Sequence, residues 1–165
     1  MAFEVNYEQA NSLVSEGTYE AIVKTAYQNT TKNGKQYISI RWVIRNDVEQ
    51  KHQNRTIGQT LWKRKEPTAA DKAIDGFSNA QIQAICKAVQ LENGKTYASL
   101  DEWLDDLKHK KAQIIVKHEE YNGKTDARVD MTRPTMKPEC THEFPIEQPQ
   151  TTGESVDVGD DDLPF

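Results

Sequence analysis

The strongest constraint on the fold is a strand-like segment, residues 36–45, that directly follows an Asn-Gly turn at residues 33–34. Asn-Gly is the dipeptide that tight hairpin turns favour, because both positions adopt positive φ. Side chains alternate across a strand, so this segment has two faces. One face is apolar and predicts a core: Ile38, Ile40, Trp42 and Ile44. The other carries Tyr37, Ser39, Arg41, Val43 and Arg45. A sheet with one buried face is therefore expected.

Strand spacing recurs on both sides of this segment. A first strand is indicated by the alternating residues Tyr19, Ala21, Val23, Thr25 and Tyr27. A third, over residues 55–64, has Ile57 and Leu61 on one face and Gly58, Thr60 and Trp62 on the other. Two more strands flank a second Asn-Gly turn at residues 122–123 and are marked by Ala112, Ile114, Val116, Ala127, Val129 and Met131. Five strands are therefore predicted.

Between the third and fourth strands the apolar spacing becomes helical. Pro67-Thr68 opens one helical stretch, Ser78-Asn79 caps a second, and Ser99 with Glu102 fits the capping box of a third. Three strands, a helical insertion and a hairpin follow the order of an OB fold, a five-stranded Greek-key barrel. The alternative is an α+β domain with a separate helical lobe, which periodicity does not exclude.

The net charge of −5 conceals two oppositely charged parts. The chain has 26 acidic and 21 basic residues, but residues 138–165 hold eight acids and no Lys or Arg. The remaining 137 residues therefore have 18 acids and 21 bases, a net charge of +3. Prolines and the segment 151–155 are typical of a linker. The sequence predicts a mildly basic body and a disordered acidic tail.

Within the body, bases concentrate on the predicted strands. From residue 24 to 65 there are ten bases and two acids, a local net of +8, whereas residues 66–109 have a net of −4. Lys and Arg neutralise phosphates, and aromatic rings accept unstacked bases without demanding a sequence. The pattern predicts a groove for single-stranded nucleic acid. Its candidate residues are Lys24, Lys32, Lys35, Tyr37, Arg41, Arg45, Arg55, Trp62, Lys63, Arg64, Lys65, Lys117, Tyr121, Lys124 and Arg128.

For each aromatic residue, stacking on a base must be weighed against a role in packing. Tyr37 and Trp62 lie beside basic residues, so each either stacks on a base or covers the barrel. Tyr121 precedes the second Asn-Gly turn, where a hairpin tip can fold over a DNA strand, although packing against the turn is the commoner role. The other large aromatics are assigned to the core: Trp42, Tyr97 and Trp103.

The sequence contains only weak matches to the residue patterns of catalytic or metal sites. Four carboxylates between residues 101 and 106 form an acidic helix surface, and Cys140-x-His142 lacks a second ligand pair at zinc spacing. A Gly-rich phosphate loop and a nucleophile elbow are absent from the sequence. We therefore expect no enzymatic activity, no cofactor and no metal.

The sequence also favours a cytoplasmic protein. No apolar run approaches 18 residues, so no membrane span is predicted. Residues 1–6 lack the pattern of a signal peptide. Cys86 and Cys140 form no disulfide framework, which suits a reducing compartment.

The C-terminus carries the most specific signal. A phenylalanine at the end of a polar tail cannot bury itself locally, but it can enter a pocket on another protein while basic side chains hold the carboxylates. This tip closely resembles the C-terminus of bacterial single-stranded DNA-binding proteins, which end in acidic residues, Ile or Leu, Pro and Phe. It consists of Asp160, Asp161, Asp162, Leu163, Pro164 and Phe165.

The body resembles the divergent single-stranded DNA-binding proteins of bacteriophages and prophages of Gram-positive hosts. The matching segments are residues 3–7, 17–21, 32–35 and 121–124. The resemblance implies an OB fold over residues 1–133 that coats single-stranded DNA during replication and recombination without catalysis. It further implies a linker over 134–159 and a tip over 160–165 that recruits replication and repair proteins, in a bacterial cytoplasm.

The oligomeric state, the DNA path and the function each have alternatives. The helical stretch 66–108 is longer and more acidic than the helix of the housekeeping bacterial proteins, so the oligomeric state and the DNA path are not implied by the resemblance. A homo-oligomer is one option. The alternative function is that of an adaptor that uses the tip to engage host replication enzymes and does not itself bind DNA.

Overall fold

Five strands close into a barrel in a computed structural model, which describes residues 2–5 and 13–144. They are β1 (Gly17–Thr30), β2 (Gln36–Ile44), β3 (Thr56–Trp62), β4 (Lys111–Tyr121) and β5 (Lys124–Arg133). The order around the barrel is β1-β2-β3-β5-β4, and β4 closes it by pairing with β1. All pairs are antiparallel except β3 and β5. The predicted mainly-β architecture with five strands is confirmed.

Both Asn-Gly turns form hairpins as predicted. In the β4–β5 hairpin Asn122 and Gly123 have φ of 52° and 78°, and Tyr121 pairs with Lys124 across the turn. These dihedrals suit a type I′ turn, whose twist matches that of paired strands. In the β1–β2 turn the amide of Gly34 donates to the carbonyl of Thr31.

The helical insertion lies between β3 and β4, also as predicted. It contains α1 (Ala69–Lys72), α2 (Asn79–Ala88) and α3 (Leu100–Leu107). Their N-caps are Thr68, Ser78 and Ser99, whose hydroxyls accept from backbone amides in the first turn. These bonds satisfy amides that have no intrahelical partner. α2 packs against β5 and α3 against β1.

The core occupies the barrel interior and extends under the helices. The apolar face predicted for β2 is fully buried: Ile38, Ile40, Trp42 and Ile44. The indole of Trp42 donates to Gln59 Oε1 at 2.9 Å, so its one polar atom is satisfied. Trp103 is also buried, as predicted, while Tyr97 is half-buried and packs against the core. Among the described residues no helix combines the length and apolarity needed to cross a bilayer.

β1 departs from simple alternation. The register with β2 shifts between Val23 and Thr25, which leaves Lys24 as an extra residue. Beyond this point Ala26 is buried and Tyr27 is 41% exposed. A β-bulge therefore moves Tyr27 to the outer face, although its spacing from Tyr19 predicted a shared face.

Residues 134–144, here called the C-terminal strap, pack on the barrel. The Glu20 carboxylate accepts hydrogen bonds from Thr135 Oγ1 and the Met136 amide. Asn46 exchanges hydrogen bonds with the backbone of Glu143, and Phe144 stacks on His109 with ring centroids 4.7 Å apart. The predicted domain end at residue 133 and linker start at 134 are therefore wrong. The rest of the predicted linker and the tip lie outside the described residues.

Candidate nucleic-acid interface

The outer faces of neighbouring strands line up in three rows. Rows on one face are two residues apart along a strand, about 7 Å. The cationic row consists of Thr25, Arg41, Gly58, Arg128 and Lys117 on successive strands. The middle row consists of Tyr27, Ser39 and Thr60. The aromatic row consists of Asn29, Tyr37 and Trp62. Together they form a surface that we call the three-row face.

The aromatic row brings together two of the predicted stacking residues. Tyr37 and Trp62 are register partners, with ring centroids 5.1 Å apart and planes inclined by 44°. Trp62 is 39% exposed, and Lys35 Nζ lies 4.8 Å from its ring centroid. A flat, half-exposed aromatic surface beside a cation can accept a base and its phosphate.

Tyr27 was missed by sequence reasoning as an interface residue. It lies opposite Ser39 in the row next to Tyr37 and Trp62. Its exposure depends on the bulge at Lys24, and the alternation of β1 carries no sign of a bulge. The three-row face therefore has three exposed or half-exposed aromatic rings rather than two.

The cationic row contains three of the predicted basic residues. Arg41 is exposed, and its side chain forms no hydrogen bond or ion pair within residues 2–5 and 13–144. Arg128 Nη1 lies 2.6 Å from Glu119 Oε1, so an acid partly neutralises it. Lys117 is exposed and pairs with Arg128 in register.

Two hairpins border this face. The β1–β2 turn carries the exposed Lys32 and Lys35. The β4–β5 hairpin ends in Tyr121, which is 70% exposed, and Lys124, which is exposed. Tyr121 does not pack into its turn, so the role of a ring that folds over a bound strand stays a prediction.

The basic run after β3 is tied to the helical insertion. Arg64 Nη1 lies 3.4 Å from the buried Asp71 carboxylate, and Lys63 Nζ lies 5.6 Å from the Phe77 ring centroid. Hydrogen bonds from the amides of Asn79 and Thr68 lower the Asp71 pKa, with a smaller contribution from Arg64. Lys65 is exposed. Arg64 therefore anchors α1, and all three residues add positive charge beside Trp62.

The prediction for Arg45 as a DNA contact is wrong. Its side chain points away from the apolar face, as predicted, but the strap covers it and its exposure is 0%. The guanidinium binds the Asp47 carboxylate and the carbonyls of Lys137 and Glu139. All the strong contacts of Arg45 are therefore internal.

Lys24 and Arg55 are the remaining candidates. Lys24 is the extra residue at the β1 bulge, and Arg55 immediately precedes β3. Both are exposed but lie outside the three rows. Their contribution to binding stays a prediction.

Comparison with known proteins gives one family. Residues 2–142 match the family described as protein of unknown function (DUF669). The chain belongs to this family. The DUF669 match covers the barrel, the helical insertion and the strap as far as His142. No curated protein matches the chain.

Proposed function

We propose that this DUF669 member is a single-stranded DNA-binding protein with an OB fold. The barrel order β1-β2-β3-β5-β4 with helices inserted between β3 and β4 supports the OB assignment. The function rests on one observation. The Tyr37–Trp62 pair lies on the same face as a row containing Arg41, Arg128 and Lys117.

The mechanism follows from the spacing of the rows. Bases stack on the exposed aromatic rings, while phosphates bind the cations, which lie about 7 Å from the middle row and about 14 Å from the aromatic row. Stacking uses the faces of bases, which every base has, so binding shows little sequence preference. Duplex DNA keeps its bases stacked on one another and cannot offer these faces. The site therefore favours single strands over duplexes.

The tail completes the proposal. The body coats single-stranded DNA during phage replication and recombination in a bacterial cytoplasm, with no catalysis. The tip residues 160–165 recruit replication, recombination and repair proteins, because a Phe with nearby carboxylates suits an apolar pocket with a basic rim. The support for this part is the sequence of the tip.

Fluorescence anisotropy with labelled oligo-dT and a matched duplex tests the proposal. We expect the full chain to bind oligo-dT more tightly than the duplex, with affinity that falls as salt rises. Substituting Tyr37→Ala and Trp62→Ala together should remove most of that affinity. If the chain binds neither oligo-dT nor the duplex at low salt, the proposal is wrong and the adaptor function becomes the better explanation.

A further inference from the structure

Gly58 occupies the centre of the cationic row, and no feature of the fold requires a glycine there. The register between β2 and β3 is unbroken from Tyr37–Trp62 to Val43–Thr56, so Gly58 is not part of a bulge. Its φ lies outside the left-handed region that favours glycine. A Cβ built on it would meet no atom of the described residues within 4 Å. A larger side chain would therefore fit the barrel.

A glycine inside a strand weakens it, so its presence here points to close approach by something outside the chain. Gly58 pairs with Arg41 of β2 on one side and with Arg128 of β5 on the other. Neighbouring strands lie about 4.8 Å apart, so the two arginine backbones are about 10 Å apart with a side-chain gap between them. The gap is thus flanked by two arginine side chains.

A polar cavity of about 350 Å³ adjoins this gap. Its lining includes the hydroxyl of Thr60, the cations of Lys117 and Arg128, and the carboxylates of Glu119 and Asp130. The carboxylates weaken the positive potential on the β5 side, and Arg41 lies on the other side. An anion would therefore sit over Gly58, between the two arginines, rather than deep in the cavity.

We propose that Gly58 forms a notch that seats one backbone phosphate of the bound strand. This inference rests on the proposed function and specifies one contact within it. The missing side chain lets the phosphate approach the β3 backbone, where Arg41 donates from one side and Arg128 from the other. Arginine suits this role because its planar fork of donors can bind two phosphate oxygens.

Gly58→Ala and Gly58→Val variants of the full chain test the notch. Both should fold, with melting temperatures at or above that of the wild type, because a strand interior favours residues with a Cβ. Affinity for oligo-dT should fall with side-chain size, by roughly tenfold for Gly58→Val. The slope of log affinity against log salt should become shallower by about 0.7, as expected for one lost phosphate contact.

The outcomes separate this inference from the proposed function. If the wild type shows no salt-sensitive binding to oligo-dT, the proposed function itself fails. If the wild type binds and Gly58→Val binds equally well, the notch is wrong and the function stands. Weaker binding with an unchanged salt slope would also overturn the phosphate assignment, because it would indicate a lost base contact. Thr18→Leu, which adds bulk at an exposed β1 position outside the three-row face, should leave binding unchanged.

Discussion

Arg45 and Asp47 form a two-pronged ion pair beneath the C-terminal strap. Arg45 Nε donates to Asp47 Oδ1 at 2.9 Å and Nη2 donates to Oδ2 at 2.6 Å. The Arg45 side chain is fully buried, and that of Asp47 is 7% exposed. The same guanidinium donates to two strap carbonyls, at Lys137 and Glu139, both at 2.8 Å. This pair therefore joins the end of β2 to the strap and has a structural role.

Arg41 and Arg45, four residues apart on the same strand face, should behave oppositely on substitution. Arg45→Ala leaves buried carboxylates without their partner and should lower the free energy of unfolding by on the order of 3 kcal/mol. Arg41→Ala should change it by less than about 0.5 kcal/mol but weaken oligo-dT binding and its salt dependence. Urea unfolding and anisotropy on both variants check this. Equal stability of the two variants would contradict the assignment.

The Asp47 carboxylate should make folding stability depend on pH in acid. Its hydrogen bonds with Arg45 lower its pKa from 3.8 to about 2. A depressed pKa stabilises the folded state above pH 4 by about 2 kcal/mol, and this contribution is lost as pH falls from about 4 to 2. Asp47→Asn should therefore be less stable than the wild type at pH 7, with a difference that shrinks towards pH 2.

Urea titrations at pH 7, 4 and 2.5 measure this difference. Asp105→Asn is the control, because Asp105 is exposed on α3 and only pairs with Lys108 at the surface. It should show little difference at any pH. A constant gap between Asp47→Asn and the wild type across the range would contradict the prediction.

The strap should be needed for full stability of the barrel. A chain ending at Arg133 loses the bonds that Thr135, Lys137 and Glu139 make with Glu20 and Arg45. Buried charged groups left without partners are costly, so this chain should melt at a lower temperature than one ending at Phe144. Differential scanning calorimetry of the two chains compares them. Identical melting temperatures would show that the strap contributes little to stability.

Much of the fold was predictable because its signals are local. Asn-Gly turns, helix caps and the alternation of β2 each depend on a few adjacent residues. The sequence misjudged the exposure of residues whose burial depends on the tertiary structure. Arg45 has the sequence spacing of a surface residue, and only the strap, some 90 residues later, buries it. Tyr27 has the spacing of a core residue, and only the bulge at Lys24 exposes it.

Tyr27 should contribute to single-strand binding as much as Trp62. Each ring offers a stacking surface worth about 1–3 kcal/mol per base, so Tyr27→Ala and Trp62→Ala should each weaken oligo-dT binding by roughly fivefold or more. Met131→Ala is the control, because Met131 is exposed outside the three-row face. If Tyr27→Ala matches that control, Tyr27 is not part of the interface.

Trp42 and Trp103 are buried, so quenching of wild-type tryptophan fluorescence by oligo-dT should report Trp62.

The acidic tail should compete with DNA for the three-row face. Residues 145–165 carry six acids and no Lys or Arg. Because the segment is covalently tethered to the barrel, its acids act on the three-row face at millimolar effective concentration. Deleting 145–165 should therefore tighten oligo-dT binding at low salt, and the gain should vanish as salt screens the charges.

The choice of deletion matters, because removing residues 138–165 would also remove part of the strap, including the Glu139 carbonyl that binds Arg45. A full-length chain with those six acids replaced by Asn or Gln is the matched control, and it should bind DNA as tightly as the deletion. Removing Phe165 alone should leave DNA affinity nearly intact and abolish binding of partner proteins. Unchanged DNA affinity in both the deletion and the neutral tail would exclude competition and leave the tail with recruitment as its single role.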